Sequence, residues 1–248
     1  MYPVLLRIGS FPIYTYGFLM ALAWAAGVTL FLYQGRKSGL EEVLLGFSFW
    51  IIISGVIGAR AFYVLGNLYW FLEHPEKILF LWQGGLTLYG GLLFAVIGAL
   101  CYTYRHHLSF WRIANIAAPS IALGVSIGRM GCFFNGCCYG KPWKLGLIFP
   151  VSSPAGKAFP HQPIIPTQLI SSMNLLAIFL VLSLLRRQDR LRGQLFSFFL
   201  LFYSAHRFGI EFLRADHLPI FLYLTTAQFA SIFLAILAMG MLWKKGKT

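Results

Sequence analysis

The sequence predicts an all-α integral membrane protein of seven transmembrane helices, with the N-terminus outside and the C-terminus cytoplasmic. Three observations predict it. Of 248 residues, 58% are hydrophobic and 11% are charged, whereas soluble globular domains have about 45–50% apolar and about 25% charged residues. Seven windows are apolar over the roughly 20 residues that a membrane helix needs. The cations between those windows fall unevenly on two sides, as the positive-inside rule describes.

The windows run Ile13–Tyr33, Leu44–Leu65, Leu86–Tyr104, Ile113–Met130, Gln168–Leu185, Gln194–Leu213 and Thr225–Trp243. The first is too long for a cleaved signal peptide. It has Arg7 alone before it and no clear small-residue cleavage site, so it is expected to persist as a helix. No internal repeat and no low-complexity tract interrupts the chain. A single polytopic membrane domain over 1–248 is expected, with an outer loop at about 132–165.

The net charge of +13, from 20 Lys+Arg against 7 Asp+Glu, would suggest nucleic acid in a soluble protein. Here position explains it. Arg36, Lys37, Arg105, Arg112, Arg186, Arg187, Arg190, Arg192, Lys244, Lys245 and Lys247 follow odd-numbered spans. The opposite side holds Arg7, Lys77, Lys141, Lys144 and Lys157. That bias sets the orientation and removes nucleic acid as a partner. Four arginines remain at membrane depth: Arg60, Arg129, Arg207 and Arg214, with Glu211 as the one acid within a span. An arginine at mid-span costs roughly 2.5–3.5 kcal/mol on insertion scales, so such residues commonly face a polar cavity. The alternatives are snorkelling of Arg60 and Arg214 to the headgroups and an i,i+4 pair of Arg207 with Glu211.

Two stretches read as irregular. Trp82-Gln83-Gly84-Gly85-Leu86-Thr87-Leu88-Tyr89-Gly90-Gly91-Leu92 follows an apolar run, Ile78–Leu81, too short to cross. Its glycines suit either backbone that lines a cavity or close packing between helices. Gly128-Arg129-Met130-Gly131-Cys132-Phe133-Phe134-Asn135-Gly136-Cys137-Cys138-Tyr139-Gly140 closes the fourth span on the outer side. A long proline-rich loop follows, Lys141–Ile165, and long loops commonly act as lids or binding elements.

Cys101 reads as a small buried hydrophobe. Cys132, Cys137 and Cys138 cluster on the outer side, where disulfides persist. A disulfide, or free reactive thiols beside Arg129, both suit them, and C-x4-C-C is not a standard zinc spacing, so no metal is expected. His161 and His206 are general-base candidates or ordinary polar residues. There is no P-loop and no G-x-S-x-G, which disfavours nucleotide use and a serine hydrolase. Tyr89, Arg129, Asn135, Arg207 and Glu211 form an outer-facing polar set. Two guanidiniums hold a phosphate by forked, charge-assisted hydrogen bonds, and a phosphate there belongs to a phospholipid. Under two arginines it becomes a better leaving group, which suits a transferase and equally a lipid-binding protein.

These residues resemble the prolipoprotein diacylglyceryl transferase family along almost the full chain. Tyr16-Gly17 after Gly9–Pro12, Gly58-Ala59-Arg60 with Tyr63-Val64-Leu65, and Trp82-Gln83-Gly84-Gly85-Leu86 with Tyr89-Gly90-Gly91-Leu92 resemble its motifs in order. So do Gly128-Arg129-Met130-Gly131 with Phe133, Asn135-Gly136 and Gly140, then Pro166-Thr167-Gln168-Leu169, then Tyr203 with the run from Arg207 to Asp216. The resemblance implies transfer of the diacylglyceryl group of phosphatidylglycerol to the lipobox cysteine thiol of a preprolipoprotein. The reaction would take place on the outer side of the bacterial cytoplasmic membrane, glycerol phosphate would leave, and no cofactor would be used. It implies that Arg129 and Arg207 hold the phosphate, that Asn135 and Glu211 order the site, and that Tyr16 and Tyr203 lie near the headgroup. Arg60, Arg214, Gly136 and Gly140 are further expected substrate-binding positions, with Tyr89 beside the reacting groups.

The chain departs from the family pattern on the acceptor side. Tyr89 stands where a histidine is usual, and a phenol is a poor base beside an imidazole near neutral pH. Cys132 and Cys137 replace an asparagine and a glutamate, and Ile170-Ser171 stand where Tyr-Glu usually follows. Two other functions stay open: a relative that passes a phospholipid-derived group to another acceptor, and a non-catalytic lipid-binding or thiol redox membrane protein.

Overall fold

The computed structural model describes residues 4–8, 11–36, 39–81, 84–217 and 223–246. Trp82, Gln83, Gly9, Lys37 and Lys247, on which parts of the sequence reading fall, lie outside them. The described chain is mostly helical and gathers into two compact units, residues 1–30 with 114–248 and residues 31–113.

Six described helices are long and apolar enough to cross a membrane. They are α1 (Thr15–Arg36), α2 (Glu41–Gly66), α4 (Leu88–Arg105), α5 (Phe110–Asn135), α7 (Thr167–Leu185) and α10 (Thr226–Gly246). The helix expected at Gln194–Leu213 is α9 (Leu195–Glu211), of 17 residues. At a rise of 1.5 Å per residue it is about 25 Å long, short of the roughly 30 Å hydrocarbon core. Short α3 (Leu68–Glu73), α6 (Pro154–Ala158) and α8 (Asp189–Arg192) complete the helices, with a 3-10 turn at Pro75–Leu79.

In the first unit, β1 (Val4–Ile8) and β2 (Phe11–Tyr14) pair as an antiparallel hairpin ahead of α1. The apolar core is built from α5, α7, α9 and α10, with Ala118, Leu175, Leu182, Leu195 and Ala238 almost fully buried. Along α5 a stripe of small residues lies against α1. A methyl added at Gly124 would sit 3.3 Å from the Ala23 carbonyl oxygen, and one at Gly131 would sit 3.4 Å from the Tyr16 ring. Small residues at this spacing let helix backbones approach closely where hydrocarbon gives no hydrophobic drive.

That contact explains one correction. The stretch from Gly128 was expected to be irregular, yet α5 continues through Asn135, and the chain leaves the helix at Gly136 (φ +74°). Gly128 and Gly131 serve helix packing rather than a break. A second correction concerns the loop at 141–165. It carries β3 (Pro142–Ile148), paired antiparallel with β4 (Pro163–Ile164), and the short α6. Ser153 caps α6 by accepting the Gly156 N–H at 3.1 Å. Phe149, Ala155 and Ile164 form a small core of this subdomain, with Phe133, Tyr139 and Phe159 around it.

In the second unit α2 packs along α4. Both sequence readings of the glycine-rich stretch hold, each for its own pair. Gly90 is pressed against α2, since a methyl there would stand 2.5 Å from the Gly58 carbonyl oxygen. Gly84 and Gly85 have φ of +86° and +75° and belong to non-helical chain. Arg60 organises that chain. Its Nε donates to Ile78 O at 2.9 Å, Nη1 to Gly84 O and Gly85 O at 2.8 and 3.0 Å, and Nη2 to Lys77 O at 2.6 Å. Its charge rests beside the Phe71 and Tyr63 rings, 5.3 and 5.6 Å from their centroids. Arg60 does not snorkel, and each of its three nitrogens donates to a backbone carbonyl. It is 8% exposed and ties the carbonyls of the 3-10 turn to those of the glycine turn.

Candidate functional site

The site of the first unit lies where the ends of α5 and α9 meet the starts of α1, α7 and α10. It is assembled around Glu211, in the last turn of α9. That side chain is fully buried, and a buried carboxylate requires pairing. Arg207, one turn earlier, donates to Glu211 Oε2 at 2.5 Å. His217 Nδ1 and Thr225 Oγ1 meet Oε1 at 2.6 and 2.9 Å. Thr225 is itself fixed in a capping box at the head of α10: its N–H donates to Gln228 Oε1 at 2.9 Å, and its Oγ1 accepts from Gln228 N at 3.4 Å. Glu211 therefore ties two helix ends together and sets the Arg207 guanidinium.

Arg214 follows α9. It meets Asp216 through Nε–Oδ1 at 2.8 Å and Nη2–Oδ2 at 2.7 Å, and its Nη2 lies 3.2 Å from His217 Nε2. Burial works against its charge, but the bonds to Asp216 outweigh this and raise its pKa further. Like Arg60 it is buried and engaged, at 7% exposure.

Arg129 differs. It is half-buried in α5, within electrostatic reach of Arg207 and Cys138. Among the described residues its guanidinium has no ion pair and no hydrogen bond. Tyr16, at the head of α1, lies within electrostatic reach of Arg129 and the three clustered cysteines. Tyr203 lies midway along α9, stacked on Phe199 at 5.6 Å and near Arg207. Asn135 ends α5 exposed and interacts with Cys137. Of the histidines, His206 Nδ1 lies 3.3 Å from Asn174 Nδ2, and His161 is exposed in the segment between β3 and β4 with φ +59°.

Chain reversal past Asn135 is set by backbone geometry. Gly136 is buried, and a methyl there would meet Ser153 Cβ at 2.7 Å. Gly140 bridges to Arg214, and Lys141 N donates to Leu213 O at 2.9 Å, which joins this turn to the end of α9. Cys138 has φ +58°, a left-handed conformation that costs a side-chain-bearing residue about 1–2 kcal/mol. Thr167 Oγ1 and Gln168 Nε2 hold the turn by donating to the Cys138 and Cys137 carbonyls, each at 2.7 Å. All four cysteines are free thiols. Hydrogen bonds from Cys132 and Cys137, with Arg214 and Arg129 nearby, pull the Cys138 pKa below that of an ordinary thiol.

Tyr89 belongs to the second unit, at the start of α4. It is 72% exposed and has no hydrogen bond among the described residues. His217, Asp216 and Thr225 received no role from sequence. Thr225 carried a signal, the T-x-x-Q capping box; His217 carried none beyond lying six residues past Glu211.

Chemically, a guanidinium without a partner among the described residues, beside a second that is fixed by a buried carboxylate, is an arrangement that can receive an anion. The chain matches the family model described as prolipoprotein diacylglyceryl transferase over residues 3–244. It is similar to curated relatives named phosphatidylglycerol–prolipoprotein diacylglyceryl transferase. That of Bacillus licheniformis is 33% identical over 97% of this chain and 91% of the relative. Those of Halalkalibacterium halodurans and Trichormus variabilis are 35% and 36% identical, over 97% and 87% of this chain and 85% and 80% of theirs.

Proposed function

The chain belongs to the prolipoprotein diacylglyceryl transferase family, and from that premise we propose that it moves the diacylglyceryl group of phosphatidylglycerol onto the lipobox cysteine of a prolipoprotein. The observation that carries the reading is Arg129, half-buried at the end of an apolar helix with every donor free among the described residues, beside Arg207. The phosphate of the lipid lies between these two guanidiniums. Glu211 keeps Arg207 oriented, and His217 and Thr225 hold Glu211 in place. The acceptor sulfur attacks the glyceryl carbon that bears the phosphate ester, a carbon–sulfur bond forms, and the carbon–oxygen bond breaks. Glycerol phosphate leaves with the electron pair on an oxygen that the arginines neutralise. Tyr16 and Tyr203 flank the headgroup, and Asn135 with Gly136 and Gly140 shapes the turn on the acceptor side.

The membrane setting follows the same reading. α9 is the sixth of seven spans in chain order, its short length met by the bilayer thinning around it. The cation bias sets the N-terminus outside and the C-terminus in the cytoplasm of a bacterial inner membrane, so the site opens to the outer leaflet. The test combines purified protein, phosphatidylglycerol and a lipobox peptide, with mass spectrometry of the peptide. A gain of one diacylglyceryl group, abolished in Arg129→Ala, is expected. Release of glycerol phosphate without a modified peptide would transfer the activity to another acceptor, and no release at all would leave a lipid-binding protein.

A further inference from the structure

The three outer cysteines come together more tightly than their spacing in sequence suggests. The sulfurs of Cys132, Cys137 and Cys138 all lie within 4.8 Å of one another. Three sulfurs bound to one zinc ion at about 2.3 Å in tetrahedral geometry stand about 3.8 Å apart, so the closure required is small. Adjacent residues in extended chain point to opposite sides, and Cys137 and Cys138 share a centre because Gly136 and Cys138 both adopt left-handed backbone, φ +74° and +58°. That conformation is held from outside the turn. Thr167 and Gln168, each 1% exposed, grip the two cysteine carbonyls, while Cys137 N donates to Cys132 O at 3.2 Å and closes the end of α5 onto the turn. A strained residue fixed by buried hydrogen bonds is the mark of a pre-organised site.

We propose that Cys132, Cys137 and Cys138 are the three protein ligands of one thiophilic dication, zinc in class, whose fourth coordination position takes the acceptor cysteine thiol. The inference rests on the transferase reading for its acceptor, while the metal site itself does not. Three thiolates and a dication carry one net negative charge, and Arg129 and Arg214 lie within electrostatic reach to offset it. Among the described residues no histidine or carboxylate joins the sulfurs, so the protein supplies three ligands and leaves one position open, the pattern of catalytic zinc. A thiol that coordinates zinc is deprotonated outright. The acceptor would bind as a metal thiolate and lose its proton to water. Its sulfur would form the bond to the glyceryl carbon as the carbon–oxygen bond to phosphate breaks, and the thioether product, a weak ligand, would leave the metal. The reaction needs no oxidant or reductant.

The experiment titrates Co2+ into the reduced, detergent-solubilised protein and follows the sulfur-to-cobalt charge-transfer band and the d–d bands. About one Co2+ per chain with tetrahedral sulfur-rich spectra is expected, displaced by Zn2+. Adding a lipobox peptide should shift the bands, and the same peptide with serine for cysteine should not. Cys138→Ser should abolish stoichiometric binding, and Cys101→Ser should leave it unchanged. Stripping the metal should lower peptide lipidation by about 100-fold or more, the scale of a lost proton-transfer device, and Zn2+ should restore it. No cobalt bands from the fully reduced wild-type protein would overturn the site without reliance on any variant. Bands indifferent to the thiol peptide, or full lipidation by stripped protein, would overturn the fourth-ligand role. Bands that respond to the thiol while no lipidated peptide forms in either state would sink the transferase reading and leave the metal–thiol site standing.

Discussion

Arg60 and Arg129 are both arginines inside apolar helices, and their surroundings separate them. Arg60, in the second unit, gives its donors to the carbonyls of Lys77, Ile78, Gly84 and Gly85. Arg129, in the first, gives none to any described residue. Both pay the insertion cost of a charge at membrane depth. In Arg60 the charge stabilises a glycine turn that would otherwise leave carbonyls unpaired in hydrocarbon. In Arg129 no hydrogen bond or ion pair from a described residue offsets it, which leaves its donors open to a bound anion. A charge at depth does not by itself mark function, whereas an unengaged charge does.

The largest effect that sharpens this contrast is expected at Glu211. Removing one partner of a buried pair costs about 3–5 kcal/mol, because the other charge stays buried alone. Glu211→Ala strands Arg207 and releases His217 and Thr225 together. It should therefore lower thermal stability and abolish turnover at once. Glu211→Gln keeps the size of the side chain and part of its bonding, and should recover more stability than activity. A Glu211→Ala protein of unchanged stability, measured by thermal unfolding in detergent, would show that Glu211 does not hold the ends of α9 and α10.

Arg129→Ala and Arg60→Ala should then part company. Losing Arg129 should reduce kcat/KM by about 100- to 1,000-fold, the usual scale for one charge-stabilising donor, with the unfolding temperature nearly unchanged. Losing Arg60 should cost stability on the scale of a hydrogen bond to a charged group, about 1.5–3 kcal/mol, while the folded fraction turns over at the parent rate. If Arg60→Ala instead abolished turnover in protein of parental stability, the distinction between engaged and free arginines would fail.

The sequence made some of this legible and hid the rest for definite reasons. Apolar windows disclosed the helices because hydrocarbon thickness sets a length that composition alone reveals. The pairing of Arg207 with Glu211 was readable from its i,i+4 spacing, which is local. The other ligands of Glu211 were not, since Thr225 arrives from the next helix across a turn. The helical character of Gly128–Asn135 was hidden because glycine signals both a break and a close helix contact, and the partner, Tyr16 on α1, lies more than a hundred residues away. Convergence of the cysteines depends on two left-handed residues and on Thr167 and Gln168, and spacing along the chain records none of these.

The smallest effect is expected at Tyr89, which tests the contrast from its other side. Among the described residues Tyr89 has no hydrogen-bond partner, like Arg129, yet it is 72% exposed where Arg129 is half-buried. An unengaged group gains functional force from being held where water cannot satisfy it, and an exposed phenol is not so held. A phenol is also a weak base near neutral pH, so a proton-accepting role would draw poorly on it. Tyr89→Phe and Tyr89→His should each leave kcat/KM within about threefold of the parent, less than 1 kcal/mol in the barrier. A hundredfold loss in Tyr89→Phe, recovered or exceeded in Tyr89→His, would instead assign proton transfer to this position. It would also show that exposure in the isolated chain does not decide whether a polar group at this depth acts, and that the contrast between Arg60 and Arg129 rests on hydrogen bonding alone.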